Sequence, residues 1–172
     1  MYTFTTDTPL GKIIAASRDN ALAGLWFTGQ KYFPGGSESW LKKPDYPLFT
    51  SLERWLEEYF SGSKPKTRIT LLPQGTIFQQ RVWKLLEEIP YGKTTTYGAL
   101  AAKLITPGKK ASAQAVGGAV GHNPISLIIP CHRVIGADGS LTGYAGGIEK
   151  KRFLLELEKA ISKEAGDKHP RT

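Results

Sequence analysis

Ala111-Ser112-Ala113-Gln114-Ala115-Val116-Gly117-Gly118-Ala119-Val120-Gly121 is a run of small residues with a helical composition. Its alanines favour a helix, whereas Gly117 and Gly118 in mid-helix each cost about 1 kcal/mol against Ala. Something must offset that cost. One candidate is tight packing of this helix against another. The second is close approach to a large partner such as a DNA groove. A minor groove is about 6 Å wide and a major groove about 12 Å, so a slim helix suits the narrower one. Side chains this short read few bases, which makes such binding largely independent of sequence.

Outward from this run the pattern stays helical. Upstream, Thr94 to Thr96 supply cap residues for a helix from Tyr97 to about Leu104, stopped by Thr106-Pro107-Gly108. Two short helices joined by a Gly/Pro turn predict a helix-turn-helix. Before them, Phe78, Val82, Leu85, Leu86 and Ile89 form an apolar stripe that ends at Pro90-Tyr91-Gly92. Pro73-Gln74-Gly75 marks a boundary, which divides the chain into domains 1–73 and 74–172. In the first domain Tyr2 to Thr6 alternates. Lys12 to Ser17 and Ala21 to Phe27 flank Arg18-Asp19-Asn20 as a hairpin, and 28–46 reads as a surface loop. A helix carries Leu52, Trp55, Leu56, Tyr59 and Phe60 on one face and ends at Ser61 to Pro65. Arg68 to Leu72 is one more expected strand. Downstream, a last helix begins near Glu149 with Phe153, Leu154, Leu157 and Ile161 on one face, and 163–172 is a polar, frayed tail.

Composition narrows the function classes. The 172 residues are 40% apolar, enough to build a core rather than a disordered chain. No stretch approaches the roughly 18 apolar residues of a membrane span. Met1 to Asp7 lacks the basic and apolar regions of a signal peptide, so a cytoplasmic protein is expected. Lys and Arg total 23 against 15 Asp and Glu, a net charge of +8, which fits a polyanionic partner. The single cysteine, Cys131, excludes an intrachain disulfide and a Cys-rich zinc site. A lone thiol is either an inert buried hydrophobe or a nucleophile.

Residues 123–134 read Asn123-Pro124-Ile125-Ser126-Leu127-Ile128-Ile129-Pro130-Cys131-His132-Arg133-Val134. An apolar run delivers the cysteine into a constrained turn, because Pro130 fixes its own φ and restricts Ile129. The flexible Gly143-Tyr144-Ala145-Gly146-Gly147 loop can wrap closely around a flat ligand. An adjacent imidazole can activate a thiol, but sequence neighbours need not touch, and a third group must orient the histidine.

Pro130-Cys131-His132-Arg133-Val134 resembles the active-site signature of the O6-alkylguanine-DNA alkyltransferases. The likeness extends over Phe78 to Ala160: the Tyr97 helix, Ala115-Val116-Gly117-Gly118-Ala119, the Asn123-Pro124 turn, an active-site strand, the 143–147 loop and Leu154-Leu155-x-x-Glu158. Thr8-Pro9-Leu10-Gly11 and Leu25-Trp26-Phe27 are similar to the family's more variable sheet domain. The resemblance implies an α+β fold: a small N-terminal sheet-plus-helix (RNase H-like) domain, then a mostly helical domain with a helix-turn-helix. It implies base flipping and irreversible transfer of the alkyl group to Cys131, without a cofactor or metal. The implied partner is double-stranded DNA carrying O6-alkylguanine, with O4-alkylthymine as a second candidate lesion and a monomer acting alone.

By the same resemblance His132 accepts the thiol proton through water and Glu158 holds the imidazole. Asn123 links the helix-turn-helix to this network, and Tyr97 hydrogen-bonds the departing guanine. Tyr144 and the backbone around Ala145 close over the base. Gln114, Ala115, Gly117 and Gly118 face DNA. Two departures from the family pattern stand out. Gln114 replaces the usual arginine that fills the space of the extruded base, and lacks its charge and stacking plane. The stretch Lys103 to Lys110 is longer than usual, and Lys109 and Lys110 are candidate phosphate contacts. The alternative is an alkyltransferase-like lesion-binding protein, against which Cys131 itself speaks. A Cys-His hydrolase would need an oxyanion hole that the sequence does not supply.

Overall fold

The computed structural model describes residues 1–104 and 108–161. The Thr106-Pro107 stop and the 163–172 tail, His169 included, lie outside the described residues. The chain packs as two compact units: Met1–Gln74 with Pro124–Ser126, and Gly75–Asn123 with the chain from Leu127 on.

In the first unit β1 (Tyr2–Thr8), β2 (Gly11–Arg18) and β3 (Ala21–Phe27) form an antiparallel meander, in a sheet of order β3-β2-β1-β4. The β2–β3 turn places Asp19 at φ 51 and Asn20 at φ 60. That left-handed pair matches the twist of a tight hairpin, and Asp and Asn adopt it at low cost. Every residue of β3 is buried. Its backbone is occupied too: Leu22 exchanges hydrogen bonds with Thr70 and Leu72 (both 2.8 Å), and Leu25 with Pro124 (2.8 Å) and Ser126 (2.9 Å). Such cover removes an open sheet edge. The expected strand Arg68–Leu72 thus reduces to one bridge, at Leu71. The expected 28–46 loop holds a 3-10 turn at Ser37–Ser39 and an edge strand β4 (Leu41–Lys42), parallel to β1. Two residues carry no readable period, and backbone bonds from Leu41 to Met1 and from Lys43 to Thr3 (3.0 Å each) define β4. Helix α1 (Pro47–Phe60) buries Phe49, Leu52, Trp55, Leu56 and Tyr59, with Phe49 stacked on Phe4 of β1.

The second unit begins with α2 (Ile77–Glu87), started by a reciprocal capping box between Thr76 and Gln79. Val82, Leu86 and Ile89 of the expected stripe are buried, and so is Trp83 beside it. Its indole N–H finds a partner in the Ala119 carbonyl at 2.8 Å. β5 (Thr95–Thr96) pairs in parallel with β6 (Val134–Ile135), a contact too short to leave a sequence signal. Thr96 then caps α3 (Tyr97–Ala102), and Ser112 caps α4 (Ala113–Gly121). These two helices are the expected helix pair, with α3 shorter than its periodicity suggested. Helix α5 (Ile148–Leu157) corrects the last expectation. Phe153 is 38% exposed, and Leu157 and Ile161 are half-buried. The buried face is instead Lys151, Arg152, Leu154 and Leu155, with Glu158 at the C-cap.

Candidate active site and recognition helix

Cys131 opens a 3-10 turn, Cys131–Arg133, that leads directly into β6. The expected active-site strand is therefore this turn plus two strand residues. Upstream, Leu127 sits at φ 70 although it is buried and has a Cβ. A left-handed leucine costs about 1–2 kcal/mol, which the surrounding core must impose. The Cys131 N–H donates to the Ile129 carbonyl at 2.8 Å, and the Asn123 amide donates to the same oxygen at 2.7 Å. Asn123 also hydrogen-bonds the thiol itself. It is 4% exposed, so its role goes beyond turn-forming.

The thiol is 5% exposed. Burial pushes its pKa up, while the Asn123 hydrogen bond and the Lys151 ammonium pull it down; burial wins. His132, wholly buried, bonds Glu158 through Nε2 to Oε2 at 2.6 Å. Burial depresses its basicity; Glu158 opposes this, and the charges of Arg133 and Lys151 reinforce it. A neutral imidazole bonded to an ionised carboxylate must carry its proton on Nε2, so the basic lone pair is on Nδ1. Burial alone would raise the Glu158 carboxyl. The His132 hydrogen bond and the two-armed pairing with Arg133 overcome that and hold it at about 2. Glu158, which the resemblance assigns to holding the imidazole, is 3% exposed.

Tyr97 and Tyr144 flank this cluster. The Tyr97 hydroxyl donates to the Thr142 carbonyl at 3.0 Å. Burial, then the nearby Cys131, raises its pKa. Tyr144 is 8% exposed, and its buried hydroxyl has no hydrogen-bond partner among the described residues. Gly143 is favoured as glycine: its φ is +66, and a Cβ would stand 3.2 Å from the Tyr97 hydroxyl, a tight contact. Ala145 is half-buried in the same loop.

Sequence reasoning missed Lys151. This side chain is fully buried, and Nζ donates to Val134 O at 2.5 Å and to Thr142 O at 2.6 Å. It ties the strand after Cys131 to Thr142, which leads into the 143–147 loop. Burial lowers its pKa to about 8, which leaves an ammonium with donor hydrogens at neutral pH. A lysine in an amphipathic helix reads as solvated, so no local signal marks it. Lys151→Met should remove the hydrogen bonds to the Val134 and Thr142 carbonyls, a penalty of about 1–3 kcal/mol, and loosen the loop. Amide exchange at 143–147 is expected to quicken, and the transfer that the sequence resemblance implies to slow about tenfold. An unchanged rate and exchange pattern would remove Lys151 from the site.

The face of α4 is arranged differently. Gln114, Ala115 and Gly118 are exposed and Gly117 is half-buried, while Val116, Ala119 and Val120 are buried. A Cβ on Gly117 would make only ordinary contact with Tyr97 at 3.8 Å, and one on Gly118 would meet nothing within 4 Å. Packing inside the protein therefore explains neither glycine. Lys109 and Lys110 are exposed. The described residues contain no group of three or more His, Cys, Asp or Glu able to hold a metal.

Two family models match along the chain: the ribonuclease-like domain of 6-O-methylguanine DNA methyltransferase over residues 1–73, and its DNA-binding domain over 77–160. A methylated-DNA–protein-cysteine methyltransferase of Mycobacterium tuberculosis is 47% identical over 156 residues, 91% of each chain. The chain belongs to the 6-O-methylguanine DNA methyltransferase family. A Haemophilus influenzae member bearing the same name is 44% identical, across 88% of this chain and 82% of that one. Among solved structures, Mycobacterium tuberculosis OGT in complex with DNA superposes with a TM-score of 0.83 at 44% identity, covering 93% of this chain and 94% of that one. The Methanococcus jannaschii O6-methylguanine DNA methyltransferase gives 0.65 at 29% identity, covering 92% and 94%. The α+β class expected from sequence agrees with these family matches.

Proposed function

We propose that this chain repairs duplex DNA by moving the alkyl group of O6-alkylguanine onto Cys131. The observation that carries this reading is the only thiol, 5% exposed and hydrogen-bonded by Asn123, in the same turn as an imidazole oriented by a buried carboxylate. A thiol so enclosed cannot meet a base stacked in a duplex, so the base must be extruded first, for a few kcal/mol. The S–C bond forms as the C–O6 bond breaks. The thiol proton passes through water to His132 Nδ1. Guanine leaves with the electron pair of the alkyl C–O6 bond, its developing charge stabilised by a hydrogen bond from Tyr97 O–H. It then takes a proton from water, and the imidazolium returns its own to solvent. Tyr97 must exchange its Thr142 acceptor for the base, while Lys151 continues to hold that carbonyl. Tyr144 covers the base, and its buried hydroxyl gains a partner there. The thioether product is stable, so each protein acts once.

The exposed face of α4 meets DNA through Ala115, Gly117 and Gly118, with Gln114 filling the space of the extruded base. Residues 1–73 serve as an N-terminal α/β domain and 74–172 as a DNA-binding alkyltransferase domain, a reading supported by the units Met1–Gln74 with Pro124–Ser126 and Gly75–Asn123 with the chain from Leu127 on. The protein acts as a monomer in the cytoplasm; no helix of the described residues is long and apolar enough to cross a membrane. Lys109 and Lys110 neutralise phosphates. Lys109→Ala/Lys110→Ala should weaken duplex binding and reduce the salt slope by about two. An unchanged slope would remove both lysines from the interface.

Intact mass after incubation with a duplex containing one O6-methylguanine tests the main reading. One methyl should appear per protein, and none on Cys131→Ala. Tight lesion-selective binding without any mass gain would instead make this chain a damage binder, with Gln114 the first suspect.

A further inference from the structure

Glu158 Oε1 accepts from Arg133 Nε at 2.8 Å and from the Gly92 N–H at 3.2 Å; Oε2 accepts from His132 Nε2 at 2.6 Å and from Arg133 Nη2 at 3.2 Å. Four donors saturate the two oxygens. Arg133 Nη1 reaches the other way to the Ile89 carbonyl at 2.7 Å, and its guanidinium lies 5.7 Å from the Tyr91 ring centroid. This is more than a structural tie. The carboxylate that orients His132 is also the partner of a buried cation, whose charge opposes the carboxylate's pull on the imidazole. A carboxylate left alone in this position would favour imidazolium, which cannot accept a thiol proton.

We propose that Arg133 is a positioning residue that sets the proton affinity of His132 through Glu158, keeping the imidazole able to accept the Cys131 proton. The proposal rests on the reading of His132 as that acceptor. The groups that face the cluster are Cys131 and Arg133 in its own turn, Glu158 and Lys151 from α5 and its cap, Tyr91 from the α2–β5 turn, and Tyr144 from the 143–147 loop. Glu158 is the anion among them, and Arg133 and Lys151 are the cations. Arg133 is the one that shares the carboxylate with His132.

Two variants separate charge from geometry. Arg133→Gln removes the cation and should move the acid limb of the transfer–pH profile, and the ring titration of His132 followed by NMR, upward by about one pH unit or more. Arg133→Lys keeps the charge but loses the fork, so the rate should fall several-fold with both midpoints unmoved. A folded Arg133→Gln protein whose His132 midpoint stays in place overturns the proposal, as does an equal shift in Arg133→Lys. If Arg133→Gln does not fold, Arg133→Lys carries the test alone. The ring titration needs no transfer, whereas full transfer activity in His132→Gln would overturn the reading of His132 and not the charge balance.

Discussion

Glu158→Ala should cost about 3–5 kcal/mol of stability and abolish measurable transfer. Its carboxylate is buried and accepts from His132, both arms of Arg133 and the Gly92 N–H. Removing it strands the Arg133 guanidinium, itself 9% exposed, without its counter-charge. An isolated buried charge is what makes breaking such a pair expensive. The imidazole loses its orienting partner at the same time. Urea denaturation measures the first effect and methyl incorporation the second. The pH dependence carries a sign. The folded carboxyl titrates at about 2 against an ordinary 4.5, so its contribution is complete above about 4.5 and is lost as pH falls toward 2. That difference amounts to about 3 kcal/mol. The acid limb of the stability curve should therefore flatten between those values in Glu158→Ala. A stability change below about 1 kcal/mol would show that the cluster contributes little to the fold.

Gly118→Ala should move two quantities in opposite directions. Its Cβ would meet nothing within 4 Å, and no left-handed φ requires glycine there. Alanine in mid-helix is better by about 1 kcal/mol, so the fold should be stabilised by close to that amount. The methyl group would project from the exposed face of α4, the face proposed to meet the DNA groove, so duplex affinity should drop. Gly118→Leu sharpens the contrast, with a stable protein and binding lost by tenfold or more. Thermal melts and fluorescence anisotropy against a duplex read the two effects separately. Affinity unchanged in Gly118→Leu would mean that this face does not touch DNA.

Local patterns made much of the molecule legible. The β2–β3 hairpin followed from Arg18-Asp19-Asn20, because its turn needs residues that tolerate positive φ. The stripes of α1 and α2 and the caps at Thr96 and Ser112 are short-range physics, written within a few residues. Pairings without period were hidden: β4 beside β1, β5 beside β6, and the cover that Leu71 and Ile125 give β3. Each is fixed by backbone bonds between distant residues.

At the site, the Pro130-to-Val134 motif marked Cys131 and His132, and the family likeness marked Asn123, Tyr97, Tyr144 and Glu158. The sequence by itself determined which chemical groups exist: one thiol, an adjacent imidazole, and a slim helix with two glycines it does not need for its own sake. Only the tertiary structure decided their states. Whether a carboxylate is solvated or buried, and whether a lysine waves in water or pins two carbonyls, depends on what the rest of the chain packs around it. Burial and long-range pairing set the protonation of Cys131, His132, Lys151 and Glu158. Desolvation and Coulomb energy act through space, and sequence separation does not encode that distance.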